Sequence, residues 1–305
     1  MKKQTRRSFI KTTILAGGAT LLGSQIMPKI LQAGFQPPFP DIVSIAGNDP
    51  LNAVPKLLEH LGGIGNFIKS GNRVGILINS PWKNPGTYTH PDIPLSTIKL
   101  CIDAGAKEIV IYKPASAAYW ERGNYYARFG EMIKGFKYSS DRKEVDIPGG
   151  VSLKKANIFR DFLETDVFIH IPVAKHHAGV LFSGNLKGLM GVSTGETNRS
   201  MHSPEGDYTY DKPEYLAQCI ADLNLLRKPD LCLVDATECV LSNGPAGPGD
   251  TVKPNKIIAG IDPVALDVYS ATLIGFSKSD ILTFDKARQH GIGETDISKL
   301  TIKEI

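Results

Sequence analysis

Apolar residues fall along most of the chain in two alternating kinds of run. Short stretches rich in β-branched and aliphatic side chains read as buried strands: Ile42–Ala46, Arg73–Asn79, Glu108–Tyr112, Asp166–Ile171, Asp230–Ala236, Lys256–Ile261 and, at the end, Leu300–Lys303. Between them, apolar positions recur at helical spacing in Leu51–Leu61, Leu95–Ala104, Glu214–Arg227 and Val264–Ile274, with shorter helices at Phe159–Glu164 and around Ser279–Gln289. Local signals agree. Pro55 suits the first turn of its helix and Pro213 the first position of its own. Asp262 followed by Pro263 is a helix start, and Gly105 is a stop. Strand alternating with helix predicts an α/β fold: a mainly parallel sheet with flanking helices, built from βαβ units. Residues 40–150 and 151–305 are candidate lobes around a cleft. Ala115–Gly150 departs from the alternation and reads as an excursion with short helices. Its aromatics (Tyr119, Trp120, Tyr125, Tyr126, Phe129) either cover one mouth of a site or pack a surface insertion.

The pattern breaks most sharply after the strand Asp166–Ile171. From Ile171 to His202 the sequence I-P-V-A-K-H-H-A-G-V-L-F-S-G-N-L-K-G-L-M-G-V-S-T-G-E-T-N-R-S-M-H has neither period, and five glycines punctuate it. Glycine lets a backbone turn tightly or approach a ligand closely. Lysine and histidine move protons, bind metals or form covalent adducts. A segment with its own chemistry at the C-terminal end of a strand is where α/β proteins usually carry their sites. Ala174, Asp235 and Asn79, at three strand ends, are therefore expected to face one cleft. His177, Lys187 and His202 are expected to converge, with Lys175 nearby. His177, Lys187 and Lys175 are the candidate catalytic residues. Lys187, Gly184, Asp235 and Asn243 are candidates for holding a cofactor, and His202 and His177 for holding a metal, because neutral imidazole is a good ligand for nickel and other divalent ions.

Other readings of the same residues are weaker. Gly191-Val192-Ser193-Thr194-Gly195 matches the G-x-S-x-G of a nucleophile elbow, but lacks the strand before it and the helix after it that the elbow needs. Gly179–Lys187 lacks the G-K-[S/T] ending of a phosphate loop. Asp262 is better explained as a helix cap than as a ligand. Any single histidine is more often structural; three of the seven beside two lysines raise the odds of a site.

Charge changes the picture at the N-terminus. The formal net charge is +4, but residues 1–33 carry Lys2, Lys3, Arg6, Arg7, Lys11 and Lys29 and no acid. Without them 35 − 6 = 29 basic residues face 31 acidic ones, a net −2. No basic stripe with interleaved aromatics appears, which argues against a nucleic-acid partner. Thr5-Arg6-Arg7-Ser8-Phe9-Ile10-Lys11, followed by an apolar run to about Met27, reads as a twin-arginine signal peptide over residues 1–33. It predicts export to the periplasm through the twin-arginine translocase, and no stable membrane span after cleavage. Residues 34–305 then form the mature unit. The four cysteines include no C-x-x-C pair, so no iron–sulfur cluster is expected. Cys101 and Cys219 read as small buried hydrophobes, and Cys232–Cys239 is a candidate disulfide.

Several segments together resemble the domain-of-unknown-function 362 family: V-G-I-L-I-N-S-P, D-A-G-A-K-E-I-V-I, D-V-F-I-H-I-P-V-A-K-H-H, L-K-G-L-M-G, A-D-L-N-L-L-R-K-P-D-L-C-L-V-D, N-G-P-A-G-P-G and A-G-I-D-P-V-A-L-D. They span about residues 40–305. The family usually has Lys-Asn where this chain has Lys187-Gly188. A second, local similarity joins residues 172–202 to nickel-pincer lactate racemases, with His177, Ser183-Gly184, Lys187, Gly191 and His202 at similar spacings. That similarity implies that His177 shuttles a proton, Lys187 attaches a cofactor and His202 binds nickel. The racemases' Gly-x-His-Arg motif has no counterpart here, where K-P-A-S-A-A-Y-W follows the corresponding strand.

The sequence thus points to an exported enzyme with a metal or small cofactor, acting on a small polar or anionic substrate through a Lys/His segment. The reaction classes in view are racemase- or isomerase-like and redox-associated. The alternative is a non-catalytic periplasmic protein that binds an anion or a metal.

Overall fold

The computed structural model describes residues 39–305; the twin-arginine signal read in residues 1–33 lies outside them. Eight strands form one twisted sheet: β1 (Ile42–Ala46), β2 (Arg73–Ile78), β3 (Glu108–Ile111), β4 (Lys137–Tyr138), β5 (Val167–Ile171), β6 (Leu231–Ala236), β7 (Lys256–Gly260) and β8 (Ile302–Glu304). Their order across the sheet is β8-β1-β7-β6-β5-β2-β3-β4. The run β6-β5-β2-β3-β4 is parallel throughout, and β1 pairs in parallel with β8. Only β7 runs against its neighbours β1 and β6. The sheet draws strands from both candidate lobes.

Period-2 alternation explains the two cores. In β2, Val74, Ile76 and Ile78 face one side and Leu77 the other; in β5, Val167, Ile169 and Ile171 face the first side and Phe168 the second. The first side packs on helices α1 (Pro50–Glu59) and α2 (Asp92–Asp103), through Val54, Leu57, Ile93 and Ile98. The second packs on α3 (Pro213–Asn224) and α4 (Pro263–Leu273), through Leu216, Ile220, Val264 and Val268. Each buried aliphatic side chain of this kind contributes about 1.5–3 kcal/mol of transfer free energy. A layer of helices on each face is the expected solution for a parallel sheet. Gly75 has a packing reason: a Cβ there would lie 1.8 Å from the Tyr112 hydroxyl, so the ring fills the space that its missing side chain leaves.

Several local readings are corrected. The first helix starts at Pro50, with the Asp49 carboxylate accepting from the Leu51 N–H at 3.2 Å. Pro55 therefore lies inside the helix rather than in its first turn. The excursion holds helices Ala117–Trp120 and Tyr126–Lys134, and also the strand β4 and one arm of a hairpin, Arg142–Asp146 paired with Lys155–Phe159. Tyr119 and Trp120 are buried in the core on the α1/α2 side and cover no mouth. Cys232 and Cys239 form no disulfide; all four cysteines are buried thiols. Asp262 caps α4 as expected, accepting from the N–H groups of Val264 and Ala265.

Candidate functional site

The segment after β5 is denser in structure than its sequence suggested. It forms a tight hairpin, Lys175–His177 against Leu181–Ser183, then a helical turn Asn185–Gly188, a 3-10 turn Leu189–Val192 and a helix Gly195–His202. Thr194 caps that helix by accepting from the Thr197 N–H. The segment thus folds back over the strand that precedes it. Bridging of Val173 to Asp235, with the Ala174 N–H donating to the Asp235 carbonyl at 2.8 Å, ties its start to β6. The ends of β2, β5 and β6 lie on one edge of the sheet, as parallel neighbours must.

A cavity of about 420 Å³ opens at this edge. Lys113, Lys175 and Lys187 line it, as do His170, His177 and His202, and no aspartate or glutamate does. Trp82, Tyr208 and Tyr210 supply its aromatic wall. His177 and His202 have ring centroids 6.2 Å apart, and Tyr210 packs edge-on against His177 at 5.8 Å. His177, Lys187, His202 and Lys175 therefore share one cavity.

Two histidines are set in opposite tautomers by partners whose roles are fixed. The Nδ1 of His177 accepts the Gly179 backbone N–H at 3.1 Å. A neutral ring so held carries its proton on Nε2, and that Nε2 is buried with no partner among the described residues. The Nδ1 of His202 lies 2.7 Å from the Asn198 carbonyl, which can only accept, so Nδ1 carries the proton and Nε2 keeps its lone pair. One ring presents a donor and the other a base. Burial lowers the pKa of both, and the positive charge of Lys187 lowers them further.

The lysines differ in engagement. Lys175 is fully buried; its Nζ donates to the Thr87 carbonyl at 2.6 Å and the Pro245 carbonyl at 3.0 Å. That leaves one of its three N–H donors for a ligand. Lys187 is half-buried, and its ammonium has no carboxylate or carbonyl partner among the described residues. Burial and the neighbouring Lys113 bring its pKa down to about 8. Asp267 positions its turn: the carboxylate accepts from the Asn185 N–H at 2.6 Å, the Asn185 side-chain amide at 2.9 Å and the Leu186 N–H at 2.8 Å.

Three sequence candidates take other places. A Cβ on Gly184 would lie 2.3 Å from Asp267, so this glycine serves close packing. The Asp235 carboxylate is consumed by the N–H groups of His90 and Thr237 and by the Thr237 hydroxyl. Asn243 is exposed and reaches the Pro248 carbonyl. None of the three lines the cavity. Ser193 precedes the Thr194 cap in a turn with no strand ahead of it, unlike a nucleophile elbow.

Among the described residues no group of three or more His, Cys, Asp or Glu side chains is placed to hold a metal ion. The two histidines read as metal ligands offer one free lone pair between them, on His202. The aromatic wall and two ionisable lining residues, His170 and Lys113, carry no site signal in the sequence. His170 is a polar residue inside an otherwise apolar strand. Lys113 lies two residues after β3, at what reads as a plain strand end.

His170 gives a pH dependence. Burial pushes its pKa down to about 3. Below the ordinary histidine value near 6.5 the unfolded chain takes up a proton that the folded chain refuses. Stability is therefore full above about pH 6.5 and falls as the pH drops, by about 1.4 kcal/mol per unit. At pH 4.5 His170 alone removes on the order of 3 kcal/mol, and His177 and His202 act in the same direction. Urea unfolding at pH 7 and 4.5 should show the loss, and His170→Phe should flatten the slope. Equal stability at both pH values in the wild type would contradict the burial of neutral imidazoles.

Among known proteins, the chain is 26% identical over 257 residues to a thylakoid-associated protein of Synechocystis sp., covering 80% of this chain and 76% of that one. Its fold is similar to the lactate racemase apoprotein of Thermoanaerobacterium thermosaccharolyticum, at 15% identity and a TM-score of 0.45, covering 72% of this chain and 54% of that one. It is also similar to a structural-genomics protein of Thermotoga maritima, at 13% identity and a TM-score of 0.38, covering 79% and 58%. The chain spans little more than half the length of these two solved proteins. The sequence profile of the domain of unknown function 362 matches residues 74–272, well over half of the chain. The chain belongs to the domain-of-unknown-function 362 family.

Proposed function

We propose that this protein is an enzyme that binds a small organic anion in the lysine–histidine cavity and moves a proton to and from it. The observation that carries the reading is the lining: three lysines, three histidines and no carboxylate. Buried positive charge without a partner is costly, and an anion relieves that cost. The histidine pair supplies the chemistry. The free Nε2 of His202 can take a proton from the bound molecule and return it, while the Nε2–H of His177 donates a hydrogen bond to the charge that develops. Both rings are held neutral by burial, so neither step waits on the release of a bound proton. Among the described residues the histidine pair offers a divalent ion, nickel included, a single imidazole lone pair, on His202 Nε2, beside three lysines, so the cavity does not fit one. The proton steps remain those of the chain's own residues. The signal read in residues 1–33 supports the periplasm, reached by the twin-arginine route, as the proposed location.

Calorimetry with acetate, pyruvate and phosphate tests the reading. At least one should bind, more weakly as salt rises. Lys187→Met should weaken that binding by about ten- to a hundredfold, the loss of one charge-assisted contact of about 1.5–3 kcal/mol. No anion binding at low salt would defeat the proposal.

A further inference from the structure

Within that reading of the cavity as an anion site, we propose that Lys187 is a carbonyl-reactive amine, forming an imine with an anionic aldehyde or ketone. Two backbone carbonyls hold Lys175 as a fixed donor, which suits it to binding charge and not to attack. Lys187 is free of any such partner, faces the cavity and rides on a turn fixed by three hydrogen bonds to Asp267. A lysine desolvated next to another cation is the usual activated amine. Burial and Lys113 together bring Lys187 to about 8, so an appreciable fraction is neutral near pH 7. Of the two lysines without a fixed partner, Lys187 is the one whose charge acts on both His177 and His202.

The step balances with groups present. The Lys187 nitrogen attacks the carbonyl carbon, and the C=O π pair passes to oxygen, which accepts a hydrogen bond from His177 Nε2–H. The nitrogen gives a proton to His202 Nε2, which passes it to that oxygen to form the carbinolamine. The second N–H proton follows the same route through His202 to the hydroxyl, which leaves as water as C=N forms. Amine plus carbonyl compound gives imine plus water, with no oxidant or reductant. Lys175 and Lys113 offer N–H donors to the anionic end. An imine so placed withdraws electrons from the adjacent C–H bond, and the histidine pair is then positioned to exchange that proton.

Glyoxylate and pyruvate serve as probes, each incubated with the whole chain and cyanoborohydride near pH 7.5. Intact mass followed by peptide mapping is expected to show a single reduced adduct, on Lys187, formed well ahead of any on the exposed Lys99 or Lys134. Lys187→Arg should abolish it. Adducts spread over surface lysines, or none on Lys187, would overturn the proposal. Thermal shift by acetate and phosphate, which have no reactive carbonyl, is read in parallel. A shift without an adduct rejects the imine and keeps the anion site; loss of both rejects the underlying reading.

Discussion

Replacing His202 by glutamine is expected to slow solvent exchange of a proton on the bound anion by about 10²–10⁴-fold, the usual contribution of a positioned base. The side chain is nearly buried, its Nδ1–H is held by the Asn198 carbonyl, and Tyr208 and Tyr210 pack against its ring at 5.1 and 5.9 Å. Glutamine keeps the size and neutrality and removes the basic lone pair. Anion binding should survive, since the lysines are untouched. Deuterium incorporation into the bound anion, followed by mass spectrometry, separates the two effects. Undiminished exchange in the variant would remove His202 from the proton path, and loss of binding without loss of exchange per bound molecule would make it a binding residue.

The largest expected cost in stability belongs to Asp267→Ala. The carboxylate is almost wholly buried and accepts three N–H donors from Asn185 and Leu186. Alanine leaves two backbone N–H groups and an amide without acceptors in the interior. At about 1–3 kcal/mol for each of the three unmet groups the loss is of order 3–9 kcal/mol. Burial lifts the Asp267 pKa to about 7, opposed by the same three donors, which favour the ionised form. Asparagine should restore only part of the loss, because its NH₂ meets one donor face to face. The variant also frees the turn that carries Lys187, so anion affinity should fall even under conditions where the chain remains folded. Urea unfolding monitored by circular dichroism measures the first effect. A change below about 1 kcal/mol would show that the turn holds without the carboxylate.

How much of this was visible in the chain depends on the kind of signal. The strands β2, β5, β6 and β7 and the helices α3 and α4 were legible because each carries a complete period of its own and a local start signal, such as Asp262 before Pro263. Their parallel arrangement followed from the alternation. Antiparallel β7 was not legible, since direction is set by long-range pairing with β1 and β6 and leaves no mark within the strand. The meeting of His177, Lys187 and His202 was foreseen from glycine spacing. The hairpin and helical turns that achieve it were not, because their residues are too few for a period to show. Gly184 and Asp235 looked like ligand-binding groups because a glycine in a close backbone approach and a carboxylate at a strand end read alike whether the partner is a cofactor or another part of the chain. Here the partners are Asp267 for one and the His90–Thr237 backbone for the other. His170 was missed because a strand residue reveals its surroundings only when neighbouring strands are in place.

The most direct test of the histidine pair needs no substrate. Long-range ¹H–¹⁵N correlation of histidine-labelled protein at pH 7 reports which ring nitrogen carries the proton. His177 is expected neutral with its proton on Nε2, and His202 neutral with its proton on Nδ1. Finding both rings in one tautomer, or either of them protonated on both nitrogens, would contradict the donor–base arrangement on which the proposed proton transfer rests.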